Sequence, residues 1–445
     1  MKIKFLGAAR EVGRSCIVLE LSDVHKIMLD AGVKLTQTGV VYPLIEVPDI
    51  KEMDSVNAIF LSHAHLDHVG SLPYIEHLRV EAPIYATSPT IKLGKILLED
   101  AYKIENHKNK VPYKHADLEK LSKYFQHVRY NKTYEINVGL NKIEYEFVDA
   151  GHIQGSASIF LKIKNKNEEK ITTLIYTGDI NSIDTQLLEK HYFYREDSDI
   201  ERFKEVDCLI LESTYSDKEH ENRELIEKKF IETLKLRQKA GPVIVATFGV
   251  QRAQELLTLF EKNKLFEKYN IYLDGMAVKT TNTFLSESEF IINADLLRKA
   301  FRKVNHIHGF EERRIALKKR GIYITTSGML SGGPVMSYLK ELHDDPNTTI
   351  LLTGYQCEGT NGRTLLELGY VEVDGRIFRP KCYFEKFDLS GHAGHKDLVK
   401  LVEKLKPKKV ILNHGDESSI LNFEKELLSK DVQVIAPKIN EEIEL

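Results

Sequence analysis

The sequence predicts an α/β protein in which one α/β domain is interrupted by a second, parallel α/β domain and completed by the C-terminal segment. Three observations carry this. Up to about residue 212, short apolar runs recur (IVLEL, KIMLDAG, AIFLSHAH, IEYEFVDAGH, TTLIYTGDI, CLILEST), and most finish in Gly, Asp or His. Strands whose C-terminal ends bring polar side chains to a common rim look like this. After residue 214 the rhythm becomes an alternation of strand-like runs (PVIVATFG, NIYLDG, GIYITTSG, NTTILLTGY) with helical runs such as RELIEKKFIETLKLRQKAG and QRAQELLTLFEKNKLF, the pattern of a helix-covered parallel sheet. From about residue 373, KCYFEKFDLSGHAGH and KPKKVILNHGD resume the first pattern, again with histidines where apolar runs end. The expected division is 1–215, 216–372 and 373–445, the first and last forming one domain.

Taken in order, MKIKFLGAAREVGRSCIVLEL reads as an opening strand pair rather than a signal peptide. SLPYIEHLR, PTIKLGKILLEDAYKIE and HADLEKLSKYF have helical spacing, with Lys and Glu for a wet face. The polar stretch 188–204 reads as a surface connection, and its HYFYREDSD run carries no functional signal. The final VIAPKINEEIEL reads as an edge strand with an acidic end. No internal repeat is visible.

With 445 residues, 42% hydrophobic, 29% charged and only 12 Pro, the chain is too long for one core and too apolar to be disordered. Its net charge of −3 excludes a polybasic nucleic-acid binder, so any polyanion site must be local. No 18-residue apolar run occurs, which predicts a cytoplasmic protein without a membrane span. Cys16, Cys208, Cys357 and Cys382 lie far apart without a CxxC pair, so they read as reduced core residues, neither a zinc ribbon nor a disulfide framework.

The strongest local signal is HAHLDH at 63–68, directly after NAIFLS. His63 and His65, two apart on an extended segment, can approach one cation, while Asp67 and His68 lie past the bend and face a neighbouring position. A binuclear zinc site needs further N and O ligands and a carboxylate between the cations. His152 in DAGHIQGSAS, Asp179 in YTGDI and His414 in ILNHGD each follow an apolar run and precede a turn. His63, His65 and His152 are therefore assigned to one metal and Asp67, His68 and His414 to the other. Asp179 is the bridge, and Asp30 in IMLDAG fixes an imidazole tautomer from behind.

HAHLDH together with Asp30, His152 and Asp179 resembles the metallo-β-lactamase superfamily, which implies an αββα sandwich with a binuclear metal cleft. Glu212 in LESTY, His392 in DLSGHAGH and His414 in ILNHGD resemble the three further motifs of the β-CASP nucleases, and the resemblance runs from GAAREVG to His414. The loops GMLSGGPV (328–335) and GYQCEGTNGR (354–363) look like the group around the cleavage and polyadenylation specificity factor endonuclease and its archaeal relatives, with RNase J the neighbouring group. His at 414, where DNA-directed members carry Val, favours RNA. The chain starts at the catalytic fold without a KH-type segment, so separate RNA-anchoring modules are expected to be missing. The resemblance also implies two Zn2+ per chain and a homodimer.

These residues support hydrolysis of phosphodiester bonds in single-stranded RNA. Two zinc ions lower the pKa of a shared water, with Asp67 as orienting base. His392, held by Glu212, acts as acid to the leaving oxygen. Nine Lys or Arg against two acids between 298 and 320 precede TTSGMLSGG, suggesting a strand-guiding run. Ser327, Gly328, Ser331, Gly332, Gly333 and Arg363 are the expected substrate contacts. Endonucleolytic and 5′-to-3′ exonucleolytic action both remain open. The competing readings are a small-molecule metallohydrolase, which needs no insertion of this size, and an inactive RNA-binding scaffold, in which metal ligands would be eroded.

Overall fold

The computed structural model describes all residues except 37–38, 45–54, 108–109, 168, 358 and 431. The chain forms two compact units: residues 1–184, 190–219 and 391–445 make the first, and residues 185–189 and 220–390 the second.

The first unit is built on two seven-stranded sheets. One has the order Glu442–Glu444, Lys2–Phe5, Ile17–Ser22, His25–Leu29, Val56–Phe60, Ile84–Ala86, Phe125–His127. The other runs Gln433–Ile435, Lys409–Asn413, Cys208–Glu212, Ile171–Tyr176, Ala157–Asn165, Asn141–Asp149, Thr133–Val138. Strand alternation explains their stacking. Ile27 and Leu29 of one sheet join Ile159, Leu161, Leu174, Cys208 and Ile210 of the other in a single core. The intervening residues face outward onto helices: Met28, Ile59 and Leu61 meet Leu72, Ile75, Ile91 and Leu98, and Leu209, Leu211, Val410 and Leu412 meet Leu398, Leu401, Phe423 and Leu427. The layers are αββα, as the resemblance implied.

The second unit has one six-stranded, all-parallel sheet, ordered Asn305–Ile307, Ile271–Asp274, Ile322–Thr325, Val243–Ala246, Thr349–Leu352, Tyr383–Lys386. Its central strands are buried along their whole length, as the unbroken apolar runs VIVA and TILL require. The second unit extends beyond the boundary read at 372, because Tyr383–Lys386 pairs with Thr349–Leu352; the return to the first unit comes at Gly391.

The stretch 188–204 departs from expectation. Leu188, His191, Phe193, Ile200 and Phe203 are buried, and Phe193, Ile200 and Phe203 pack on the outer face of the second sheet. The polar residues between them hid an apolar spacing carried by two 3-10 turns, Tyr192–Tyr194 and Ile200–Phe203. All four cysteines are free thiols; three are buried and Cys357 is half-buried. Among the described residues no helix is long and apolar enough to cross a membrane.

Candidate metal centre

The first unit gathers its site at the carboxyl ends of strands from both of its sheets. Val56–Phe60 leads to His63, His65, Asp67 and His68; Ile171–Tyr176 to Asp179; Cys208–Glu212 ends on Glu212; Lys409–Asn413 leads to His414. His25–Leu29 supplies Asp30 behind them. Two glycines make this closeness physical. A Cβ on Gly32 would fall 1.7 Å from the carbonyl oxygen of Asp67, and one on Gly178, which sits at φ +54°, would fall 2.6 Å from Ser62 Cβ.

Three imidazole nitrogens converge: His63 Nε2 and His152 Nε2 each lie 3.2 Å from His65 Nδ1. Ligands around tetrahedral zinc stand about 3.4 Å apart, so the spacing is that of three corners around one cation. Asp179 Oδ2 lies 3.6 Å from His63 Nε2 and 3.7 Å from His152 Nε2, at the fourth corner. The same carboxylate faces a second set. His68 Nε2 is 3.4 Å from Asp179 Oδ2, His414 Nδ1 is 3.4 Å from Asp179 Oδ1, and His414 Nε2 is 3.4 Å from Asp67 Oδ2. Both groups, His63–His65–His152 and His68–Asp179–His414, have ligand atoms within 4.8 Å of one another. His68 Nε2, His414 Nε2 and Asp179 Oδ1 are buried without any hydrogen-bond partner. Burying three such atoms unsatisfied costs several kcal/mol, and a cation removes the cost. The donor set therefore fits metal ions.

Hydrogen bonds from behind fix which nitrogen is offered. His68 Nδ1 donates to Asp30 Oδ2 at 2.7 Å, His152 Nδ1 to the Gly391 carbonyl at 2.7 Å, His63 Nδ1 to Ser62 Oγ at 3.0 Å and His414 Nδ1 to Thr214 Oγ1 at 3.2 Å. Nε2 is thereby the nitrogen turned away from these partners in each ring. Asp30 also accepts from Ser62 N–H at 2.7 Å, Ser62 Oγ at 2.6 Å and Tyr176 Oη at 2.6 Å, and Tyr176 is bonded in turn to Ser15. Asp30 was expected from the sequence; Ser62, Thr214, Tyr176 and the Gly391 carbonyl were not. Tyr176 sits inside a strand where it reads as core, and a carbonyl leaves no trace in residue identity.

Electrostatics divides the histidines. Burial holds His63, His65 and His152 below the usual imidazole range, so they are neutral donors. For His68, burial is outweighed by Asp179, Asp30 and Asp67, which raise it well above that range. For Asp67 and Asp179, burial is outweighed by the surrounding histidines, chiefly His68 and His414, which hold both carboxyls below the usual range.

Beside this centre, His392 Nδ1 lies 3.1 and 3.0 Å from the two oxygens of buried Glu212. The His392 ring is 4.6 Å from that of His152, and His152, Asp179 and His392 form a further close group. Burial opposes charge on His392, but Glu212, with Asp179 and Asp67, pushes it up to about 9.

The residues named as substrate contacts lie in the second unit. Ser327, Gly328, Ser331, Gly332 and Gly333 form the loop after Ile322–Thr325. It is tied to the 354–363 segment by Gln356 Nε2 to Gly328 O (3.0 Å), Asn361 Nδ2 to Leu330 O (2.9 Å) and Gly362 N to Met329 O (2.9 Å). Arg363 is exposed and paired with Glu367 at 2.6 Å. The basic run precedes this loop with one strand between them. Lys318, Lys319 and Arg320 precede Ile322–Thr325 and the loop comes after it, so the two lie at opposite ends of that strand.

Three family models match the chain: a metallo-beta-lactamase superfamily domain over 18–210, a Beta-Casp domain over 253–365 and a Zn-dependent metallo-hydrolase RNA specificity domain over 379–437. The chain belongs to the β-CASP branch of the metallo-β-lactamase superfamily. Among relatives of this β-CASP protein, a probable RNase MJ4 of Methanocaldococcus jannaschii is 37% identical over the full length of both chains. RNase aCSPSF2 of Saccharolobus solfataricus is 34% identical over all of this chain and 85% of that relative. An RNase J-like protein of M. jannaschii is 32% identical over 95% of this chain and 94% of its own. A crystal structure of a protein of unknown function from Enterococcus faecalis shares the fold at TM-score 0.56 and 17% identity, covering 100% of this chain and 99% of that one.

Proposed function

We propose that this protein is a ribonuclease that hydrolyses phosphodiester bonds of single-stranded RNA with two Zn2+ per chain. The observation that carries the proposal is the pair of donor sets sharing Asp179, with His392 and its Glu212 partner alongside. Ribonuclease names among relatives alignable over nearly the whole chain support RNA as the substrate. His63, His65 and His152 would hold one ion, Asp67, His68 and His414 the other, and Asp179 would lie between them.

Bound zinc supplies Lewis acidity, bringing the pKa of water toward neutrality and stabilising negative charge on the phosphoryl oxygens. The chain's own residues do the rest. Asp67, held ionised by its histidine neighbours, accepts a hydrogen bond from the attacking water and orients it, the water's proton passing to solvent. With Nδ1 committed to Glu212, His392 gives a proton from Nε2 to the leaving oxygen, and a value near 9 keeps it charged at neutral pH. Charge on that imidazole also favours the anionic transition state over the ground-state diester. In the second unit, Ser327, Gly328, Ser331, Gly332, Gly333 and Arg363 contact the strand.

Circular and 5′-labelled linear RNA, incubated with the zinc-loaded protein, test the reading. Cutting of the circle establishes endonucleolytic attack; shortening of the linear strand alone establishes 5′-to-3′ exonucleolytic attack. Both substrates surviving would end the proposal. We further propose a cytoplasmic homodimer that uses residues 434–445. The support is that Glu442–Glu444 forms an outer edge of its sheet, and sedimentation as a monomer would remove it.

A further inference from the structure

The second unit carries a surface that the proposed hydrolysis does not use. Its sheet ends in the short strand Asn305–Ile307, which is hydrogen-bonded on one side only, to Ile271–Asp274. The helix Ala294–Lys303 leads into this strand and the helix Phe310–Leu317 leads out of it. Parallel crossovers are right-handed, and the chain steps outward to reach the edge and inward to leave it, so the two helices lie on opposite faces. Their packing agrees. The first lies against the helix Arg252–Lys262, whereas Ala316 of the second joins the core of Tyr323, Val335 and Tyr338. The basic run thus wraps an edge strand.

Four of its cations are accounted for within the fold. Arg298 pairs with Asp295, Lys303 with Glu261, Arg313 with Asp274 and Arg314 with Glu311. Lys299, Arg302, Lys318, Lys319 and Arg320 have no carboxylate partner among the described residues, and all five are exposed. Aromatic rings lie along the same segment. The Phe301 ring is 4.4 Å from that of His306 at a 31° tilt, and His306 is 6.0 Å from His308. Two residues on, Phe310 is 65% exposed at the start of its helix.

We propose that this edge is an exosite for an unpaired stretch of RNA, its phosphates meeting the five unpaired cations and its bases stacking on Phe310, His308 and His306. The choice of ligand rests on the ribonuclease reading. Unpaired RNA is gripped by neutralising its backbone and stacking its bases on planar side chains, and both components are present here. A protein strand added to the edge would use the backbone of Asn305–Ile307 but would bring no charge to match the cations. The site lengthens the RNA footprint beyond the reacting phosphodiester, so long strands are held at more points than short ones.

The test is fluorescence anisotropy of a long unpaired RNA on the full chain, in a His392→Ala background that slows cleavage. Three variants are compared: Lys318→Gln/Lys319→Gln/Arg320→Gln, Phe310→Ala, and the charge-matched control Lys164→Gln/Lys166→Gln/Lys170→Gln, three exposed lysines of the first unit. The first should weaken binding on the order of tenfold and reduce the slope of log K against log salt by about 2, at roughly 0.7 for each phosphate no longer neutralised. Phe310→Ala should weaken binding about fivefold with the slope unchanged. The control should change it less than about twofold, as surface lysines off the site do. If the first triple variant binds no worse than the control, or Phe310→Ala binds as tightly as its parent, the exosite is refuted and the edge is left to a protein strand. Cleavage of the same RNA by the wild-type chain is scored separately, so a failed ribonuclease reading shows there and not in the binding ratios.

Discussion

The strands His25–Leu29 and Ile271–Asp274 are each followed or ended by an aspartate and then a glycine within two residues, KIMLDAG and NIYLDG, and the two aspartates are put to different uses. Asp30 collects bonds from Ser62, Tyr176 and His68, and through His68 it points at a buried nitrogen that has no partner. Asp274 is closed off: Arg313 meets both its oxygens at 2.5 and 3.0 Å and Tyr338 adds a third bond at 2.9 Å. In the first unit the polar network ends in donors that need a cation from outside; in the second it ends in a guanidinium that the fold already supplies. A functional site is therefore marked by where its hydrogen-bond chains stop unsatisfied, and a buried charge that is fully answered marks architecture.

If that contrast is right, substitutions in the open network should act on chemistry, and strongly. Asp67→Ala or His68→Ala should reduce RNA cleavage beyond the roughly 10²–10³-fold that loss of one electrostatic donor costs, while RNA binding stays measurable; full activity in either variant would refute the assignment. His392→Ala should slow the chemical step by about 10²–10⁴-fold with metal content retained. Glu212→Gln should move the alkaline limb of the pH–rate profile to lower pH, because the acid must be protonated and Glu212 is the main group raising it. An unmoved limb would remove Glu212 from that role.

The closed network should answer in stability instead. Asp274→Asn leaves the half-buried Arg313 without its counter-ion and should cost roughly 1–3 kcal/mol in chemical denaturation, with bound metal unchanged per folded chain. Asp30→Asn should do the reverse, lowering metal affinity by about 10–100-fold. If both variants lose metal, or both lose only stability, the distinction is wrong.

A change confined to acid pH is expected at His191. Its Nδ1 accepts from the Phe193 N–H and its Nε2 lies 2.8 Å from Ser158 Oγ, and burial lowers it from 6.5 to about 3. The folded state excludes a proton that the unfolded chain takes up. Its contribution is thus complete above pH 6.5 and is lost at roughly 1.4 kcal/mol per pH unit as pH falls toward 3. His191→Gln should flatten the acid limb of the stability curve relative to wild type; parallel curves would contradict this.

What could be read in advance depended on whether the signal was local. HAHLDH fixes ligand types at fixed spacing, and His152, Asp179 and His414 share the pattern of an apolar run followed by a turn. The structure brings all seven together with Asp30, Glu212 and His392. Tyr176 escaped because a strand-interior tyrosine reads as core, and the Gly391 carbonyl because main-chain acceptors have no residue signature. Composition misled at 188–204, where charged residues mask Phe193 and Phe203.

The orphaned donors around Asp179 are explained here as the seats of two cations. Metal analysis of the purified full chain beside Asp179→Ala, with RNA cleavage followed through chelation and zinc repletion, puts that explanation at risk. Two zinc ions per wild-type chain are expected, fewer in the variant, and cleavage that disappears with chelator and returns with zinc. A wild-type chain without stoichiometric zinc, or cleavage unchanged by chelation, would overturn it.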